Sequence, residues 1–214
     1  MDALRYTLLS DGSSDQALMP ILTWLLRAQG MHGAIQPEWA DLRRLPRPPR
    51  TLSERISLSL DLYPCDLLFV HRDAEGDLQH VRTEEIHRAL AAAAQRVQVL
   101  PTVCVVPVRM QEAWLLFDEQ TLRWAAGNPH GRASLILPPF NTLAQLLDAK
   151  RLLYDLLREA SGLTGRRRRQ FRARTRARRV AEVINDLSPL RMLCAFRRLE
   201  DEIRHVVHTH GWHR

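Results

Sequence analysis

Lysine is almost missing from this chain: of its 31 basic residues only Lys150 is not arginine. A GC-rich coding sequence gives such a bias at no physical cost, so the one retained lysine is either chance or a position where a compact ammonium is needed and a planar guanidinium does not serve. Cysteine is also scarce. Cys65, Cys104 and Cys194 are odd in number and widely spaced, which excludes a disulfide framework and a cysteine-rich zinc module and leaves small buried hydrophobes. No apolar run is long enough to span a bilayer. The first residues have no basic region leading into a signal-type apolar stretch. These absences lead us to expect a cytoplasmic protein without a membrane partner. There is no internal repeat and no Walker motif.

The 214 residues present are enough for a sizeable core in one domain, or one domain with an extension. Charge is unevenly placed. Residues 1–149 carry a net charge of −3 and residues 150–214 a net charge of +10. An acidic half beside a basic half suits a polyanionic substrate held on one and processed on the other. Strand-like runs occur at Leu4–Ser10, Ile35–Leu42, Asp66–Val70 and Val99–Val108. Helical periodicity predicts helices from the Ser13-Ser14 cap to about Gln29, over Thr51–Tyr63, over Thr83–Arg96 with Thr83 as cap, and from Met110 to Phe117. Alternation of this kind implies a mostly parallel sheet flanked by helices, a Rossmann-like α/β core over 1–118. Residues 119–214 read as a helical, arginine-rich extension packed on that core. Its candidate helices are Thr142–Ala160, Arg172–Leu187 and Pro189–His208.

Acidic residues recur where these strands end. Asp11 and Asp15 sit in the turn Asp11-Gly-Ser-Ser-Asp15. Asp73 and Glu75 follow the Asp66–Val70 run, and Glu112 follows the Val99–Val108 run. Each has an ordinary structural reading: a capped βα turn, a strand-ending loop, a glutamate favoured by a helix dipole. His71-Arg72-Asp73 matches a kinase tripeptide, but the other kinase signatures are missing. Taken together the acids are more telling. In an open parallel sheet the carboxyl ends of the strands share one crevice. Carboxylates gathered there repel unless a cation separates them, and hard divalent cations prefer such oxygens.

This set of residues resembles the TOPRIM domain of nucleases and related enzymes, which has an acid-Gly-x-x-acid turn after its first strand and an Asp-x-Asp pair after a later one. It is similar to small stand-alone bacterial TOPRIM-like proteins and to the overcoming-lysogenization-defect nucleases, which add a later glutamate and a downstream lysine. The likeness covers roughly residues 4–118. It implies Mg²⁺ or Mn²⁺ as cofactor and phosphodiester hydrolysis as reaction. It places the catalytic roles on Asp11, Asp73, Glu75, Glu112 and Lys150, and metal binding on Asp11, Asp15, Asp73, Glu75 and Glu112. The chain departs from the pattern in two places: Asp11 stands where glutamate is usual, and the pair is Asp-x-Glu. The resemblance also implies a role in phage or plasmid defence, beside a partner ATPase in some cases.

The stretch Gly165–Arg179 contains Arg166, Arg167, Arg168, Arg169, Arg172, Arg174, Arg176, Arg178 and Arg179. Such density favours a DNA or RNA backbone over a merely solvated helix face. Phe171 is its only aromatic, a poor platform for stacked bases. Four histidines, His205, His208, His210 and His213, have spacings compatible with zinc, but no cysteine lies near them. Two other functions fit the same residues: a catalytically degenerate module that binds nucleic acid or a partner ATPase, and a metal-dependent phosphohydrolase of nucleotides.

Overall fold

The computed structural model describes residues 3–74, 78–108 and 111–213. Four strands, β1 (Ala3–Leu9), β2 (Ala34–Trp39), β3 (Leu67–His71) and β4 (Thr102–Val105), form one sheet in the order β2-β1-β3-β4, and every pairing is parallel. β1 and β3 are central and buried on both faces, as their near-continuous apolar runs require. Alternate residues feed two cores. Leu4, Tyr6, Leu8, Leu67, Phe69, Val103 and Val105 face one layer of helices. Leu9, Leu68, Val70 and Cys104 face the other, with Ile56 and Ile86.

The second layer is α2 (Leu52–Leu62) and α3 (Gln79–Ala93). The first is larger. It holds α1 (Leu18–Ala28), α4 (Glu119–Ala126), α5 (Ala149–Ala160), α7 (Ala173–Val183) and α8 (Cys194–Thr209), with the short α6 (Gly165–Gln170) exposed at its side. Residues from both halves of the chain share this core. Tyr6 meets Phe69 edge to face at 5.2 Å, and Trp114 meets Phe196 of α8 at 5.4 Å. The edges of the sheet are protected. Pro37 interrupts the donors of β2, and the Cys104 amide of β4 donates to Glu202 of α8 at 3.1 Å.

Several boundaries differ from the sequence expectation. Pro20 falls in the first turn of α1, where its missing N–H has no partner to lose. Before it the chain makes a 3₁₀ turn, Ser13–Ala17, in place of a helix from the serines. Thr83 does not cap α3. It lies one turn inside, and its hydroxyl bonds back to the Gln79 carbonyl at 3.1 Å. β2 stops at Trp39 and β4 at Val105, earlier than their apolar runs. Gln111–Leu115 is 3₁₀, with Met110 outside the described residues, and Asp118 then caps α4, which the pattern had not separated. Thr142–Ala160 is broken because Asp148 caps a new helix at Ala149. Pro189 sits in a 3₁₀ turn, Ser188–Met192, ahead of α8.

Because Phe196 is fully buried in the core shared with the sheet, Phe196→Ala should cost about 3–5 kcal/mol. Thermal unfolding should stay a single transition at a lower temperature. Two separated transitions, with only one displaced, would show that the helical half folds apart from the sheet.

Candidate active-site cleft

The order β2-β1-β3-β4 reverses direction between β1 and β3, and a crevice opens at such a switch point beyond the carboxyl ends of the strands. The loops after these two strands meet there. Asp11, Gly12, Ser14, Asp15, Arg72 and Asp73 line a cleft of about 230 Å³. Three of the sequence-predicted acids are thus brought together. Glu75 lies outside the described residues. Glu112 lines a neighbouring cleft of about 270 Å³, which shares Ser14 and also contains Ser13, Tyr154, Arg174 and Arg178. Lys150 joins the two clefts. Its Nζ lies 3.4 Å from Glu112 Oε1 and 3.4 Å from Ser14 Oγ, and its side chain remains 41% exposed.

The acids are not equivalent. Asp15 is buried and both its oxygens are engaged: Oδ2 accepts from the Gly12 amide at 2.8 Å, and Oδ1 from Gln111 Nε2 at 2.8 Å and from Ser14 Oγ at 3.1 Å. Burial alone would raise its carboxyl. The nearby positive charge of His71, with these hydrogen bonds, outweighs burial and holds it below the ordinary carboxylate range. Asp15 pins the turn, so that Asp11 is presented at the rim. Asp11 is half exposed and paired with two arginines, Arg55 of α2 and Arg72, the latter at 2.6 Å. Arg55 also donates to the Ser10 carbonyl at 2.6 Å, and Arg72 reaches Glu85 of α3 at 3.2 Å. Asp73 Oδ1 is buried without a hydrogen bond of good geometry, and its nearest cation is His71 Nε2 at 3.4 Å. Burial pushes the Glu112 carboxyl up, with Lys150 opposing the shift.

His71 is the residue whose role the sequence did not reveal. It ends β3, fully buried, with Nδ1 2.8 Å from the Val105 carbonyl and Nε2 facing Asp73. Both nitrogens face acceptors. A neutral imidazole can donate to only one of them, whereas the imidazolium donates to both. Burial opposes that charge, but Asp73, Asp15 and the Val105 carbonyl outweigh it and raise the pKa. Arg55 was equally hidden, since 44 residues separate it from Asp11. The adjacency of His71, Arg72 and Asp73 was the one available signal.

Among the described residues, no group of three or more His, Cys, Asp or Glu side chains is gathered closely enough to hold a metal ion. That includes the C-terminal histidines, where His208 packs on His213 at 4.4 Å and His210 stacks on Trp212 at 5.0 Å. The arginine segment divides in two. Arg166, Arg167, Arg168 and Arg169 of α6 are exposed, as is Arg172, and none of these has an ion-pair partner among the described residues. In α7, Ala173, Ala177, Val180 and Ala181 are buried, and the arginines between them face outward. Arg174 bonds Ser13, and Arg178 bonds Gln16 at 2.5 Å, which places both at the cleft mouth. Arg176 donates to the Ala125 carbonyl at 3.3 Å, and Glu182 pairs with both Arg178 and Arg179 at 3.2 Å. Glu200 is taken by Arg191 at 2.6 Å and Asp201 by Arg204 at 2.6 Å, so neither neutralises the segment.

Compared with known proteins, the chain matches no family model, no curated protein and no solved structure.

The buried ring of His71 has a measurable consequence. Its folded pKa lies above the ordinary value of 6.5. Its stabilising contribution is therefore fully present below that value and is lost as pH rises through the folded pKa. In EDTA, a histidine NMR titration should show one ring with a raised pKa, and His71→Gln should remove both that signal and the matching fall in stability. A ring that titrates at or below 6.5 would contradict the arrangement.

Proposed function

We propose that this chain is a divalent-metal-dependent nuclease with a TOPRIM-like core, acting on DNA or RNA with help from its basic helical half. The observation that carries this reading is the switch-point cleft. Asp11, Asp15 and Asp73 line it from two βα loops, with Lys150 and Arg174 at its border. The donors are of the type that Mg²⁺ or Mn²⁺ prefers, hard carboxylate oxygens, and Asp73 Oδ1 has only His71 Nε2 near it, at 3.4 Å without good hydrogen-bond geometry; as placed, the described acids do not close round an ion, so Asp11 has to leave its arginines to do so. Asp11 and Asp73 would hold the ion, with Glu75 as the third ligand expected from the sequence, and Asp15 and Glu112 would serve a second. When bound, a pair of such ions activates water and stabilises the leaving oxygen of a phosphodiester.

The chain's own residues do the rest. Lys150, tethered between Glu112 and Ser14, offers a partly exposed ammonium to a phosphate oxygen. Arg174 and Arg178 hold neighbouring phosphates at the cleft mouth, and the exposed arginines of α6 extend the basic surface. Arg55 and Arg72 hold Asp11 in place by ion pairs until a cation displaces them. A role in defence against phage or plasmids, alongside a separately encoded ATPase, belongs to the same reading.

One observation favours a binding module instead: Asp11 is already neutralised by two arginines, which can take the place of a metal. Asp73→Ala separates the two. In Mg²⁺ or Mn²⁺, cleavage of a plasmid and of a labelled RNA should fall by on the order of 10²–10³-fold or more, because the charge that stabilises the transition state is lost. Affinity should hold or tighten slightly, since arginines carry ground-state binding and one repulsive carboxylate is gone. Equal cleavage by wild type and variant would end the nuclease assignment.

The arginines make a second test. Arg174→Ala with Arg178→Ala should weaken binding with little regard to sequence and lower the log–log salt slope by about 0.9 for each duplex phosphate that is no longer neutralised. An unchanged slope would mean that these two face solvent and not substrate.

A further inference from the structure

A third cleft, of about 240 Å³, adjoins the aspartate cleft on the β2 side and shares Asp11 with it. Its lining is of a different kind. Trp39, Ala40 and Leu42 meet Pro48 and Pro49, and three arginines, Arg43, Arg50 and Arg55, stand against the one acid, Asp11. The indole is fixed: Trp39 Nε1 donates to Ser10 Oγ at 2.9 Å, and Ser10 is the residue before Asp11. The guanidinium of Arg43 lies over the Trp39 ring at 4.8 Å and is held by Asp41 at 2.8 Å. The Arg43 side chain is still 52% exposed, so the planar cation offers a stacking surface as well as a charge. The Arg50 side chain has no ion-pair or hydrogen-bond partner among the described residues.

A flat π-cation platform, two rigid prolines and an uncommitted arginine form a poor site for a bare anion and a good one for a planar base that carries a phosphate. Bases inside a duplex have no free face to offer, whereas unstacked bases of a single strand pack on aromatic and arginine planes. We infer that this cleft is a nucleotide subsite: it stacks one unpaired base on the Arg43–Trp39 platform, with the adjoining phosphate at Arg50 and Arg55. It thereby selects single-stranded over duplex substrate. The inference rests on the nuclease reading for its purpose, but the subsite itself makes no use of a metal.

The test is binding in EDTA, followed on the Trp39 indole N–H signal, assigned by its loss in Trp39→Phe. The probes are AMP, ribose 5-phosphate, and single strands of DNA and of RNA, each compared with a duplex of the same sequence long enough to stay paired at the assay temperature. AMP and the single strands should shift the Trp39 signal, and ribose 5-phosphate should bind about tenfold more weakly or worse, because one base stack is missing. Arg43→Lys keeps the charge and removes the planar surface, so it should weaken AMP by about tenfold while leaving ribose 5-phosphate unchanged. The DNA and RNA strands distinguish the two sources of the base. Equal binding of AMP and ribose 5-phosphate would reduce the cleft to an anion site and overturn the inference. Full AMP affinity in Arg43→Lys, or no shift with AMP and with either strand, would overturn it as well. AMP binding without any metal-dependent cleavage would end the nuclease reading alone and leave the subsite standing.

Discussion

A parallel sheet cannot be closed by hairpins, and the whole arrangement of this protein depends on that constraint. Each strand must be re-entered from the same end, so every crossover starts at the same edge of the sheet. The loops after β1 and β3 are therefore neighbours although some 60 residues separate them. The reversal of strand order between them leaves no crossover helix to fill the space above. Polar groups assemble at this place because the backbone there has no ladder partner.

Charge placed in such a crevice has to be balanced, and this chain balances it in two ways. At the floor, Asp15 and Asp73 flank the buried ring of His71, with amide and hydroxyl donors completing the coordination of Asp15. At the rim, Asp11 faces Arg55 and Arg72. At the floor Asp15 and His71 are buried and set the geometry, while Asp73 stays partly open to the cleft. The rim is open at Asp11, which is half exposed, while its partners Arg55 and Arg72 are partly buried. A site with a buried floor and replaceable rim partners suits exchange of one cation for another, as the proposed function would require.

The sequence carried the strands well, because β1, β3 and β4 are apolar runs of strand length and the central ones are buried on both faces. It carried the cleft in part. Strand-end position was enough to gather Asp11, Asp15 and Asp73, since a parallel sheet converts that one-dimensional pattern into proximity. Helix limits were harder to read. Thr83 has the composition of a cap and spends its hydroxyl on the preceding turn, whereas Asp148 caps a helix in the middle of an unbroken apolar pattern. The arginine partners of Asp11 were not legible at all: Arg55 belongs to a helix face, and only the packing of α2 against the sheet brings it to the rim. The charge state of His71 was hidden for a similar reason, because it follows from two acceptors supplied by different strands and loops.

The uneven charge of the chain takes on a more specific meaning in three dimensions. The basic half does not form a separate binding arm. Its α7 is packed into the same core as the sheet, and it delivers Arg174 and Arg178 to the mouth of the clefts through Ser13 and Gln16. On the opposite side the nominally acidic half supplies Arg43, Arg50 and Arg55. The carboxylates are thus flanked by arginines from both halves, along three clefts linked through Asp11 and Ser14. A polyanion crossing this face would meet cations, then carboxylates, then cations again. Because the carboxylates repel phosphate, a strand would sit over them only with a cation between, so under the proposed function the same charge order would make occupancy of the centre depend on metal.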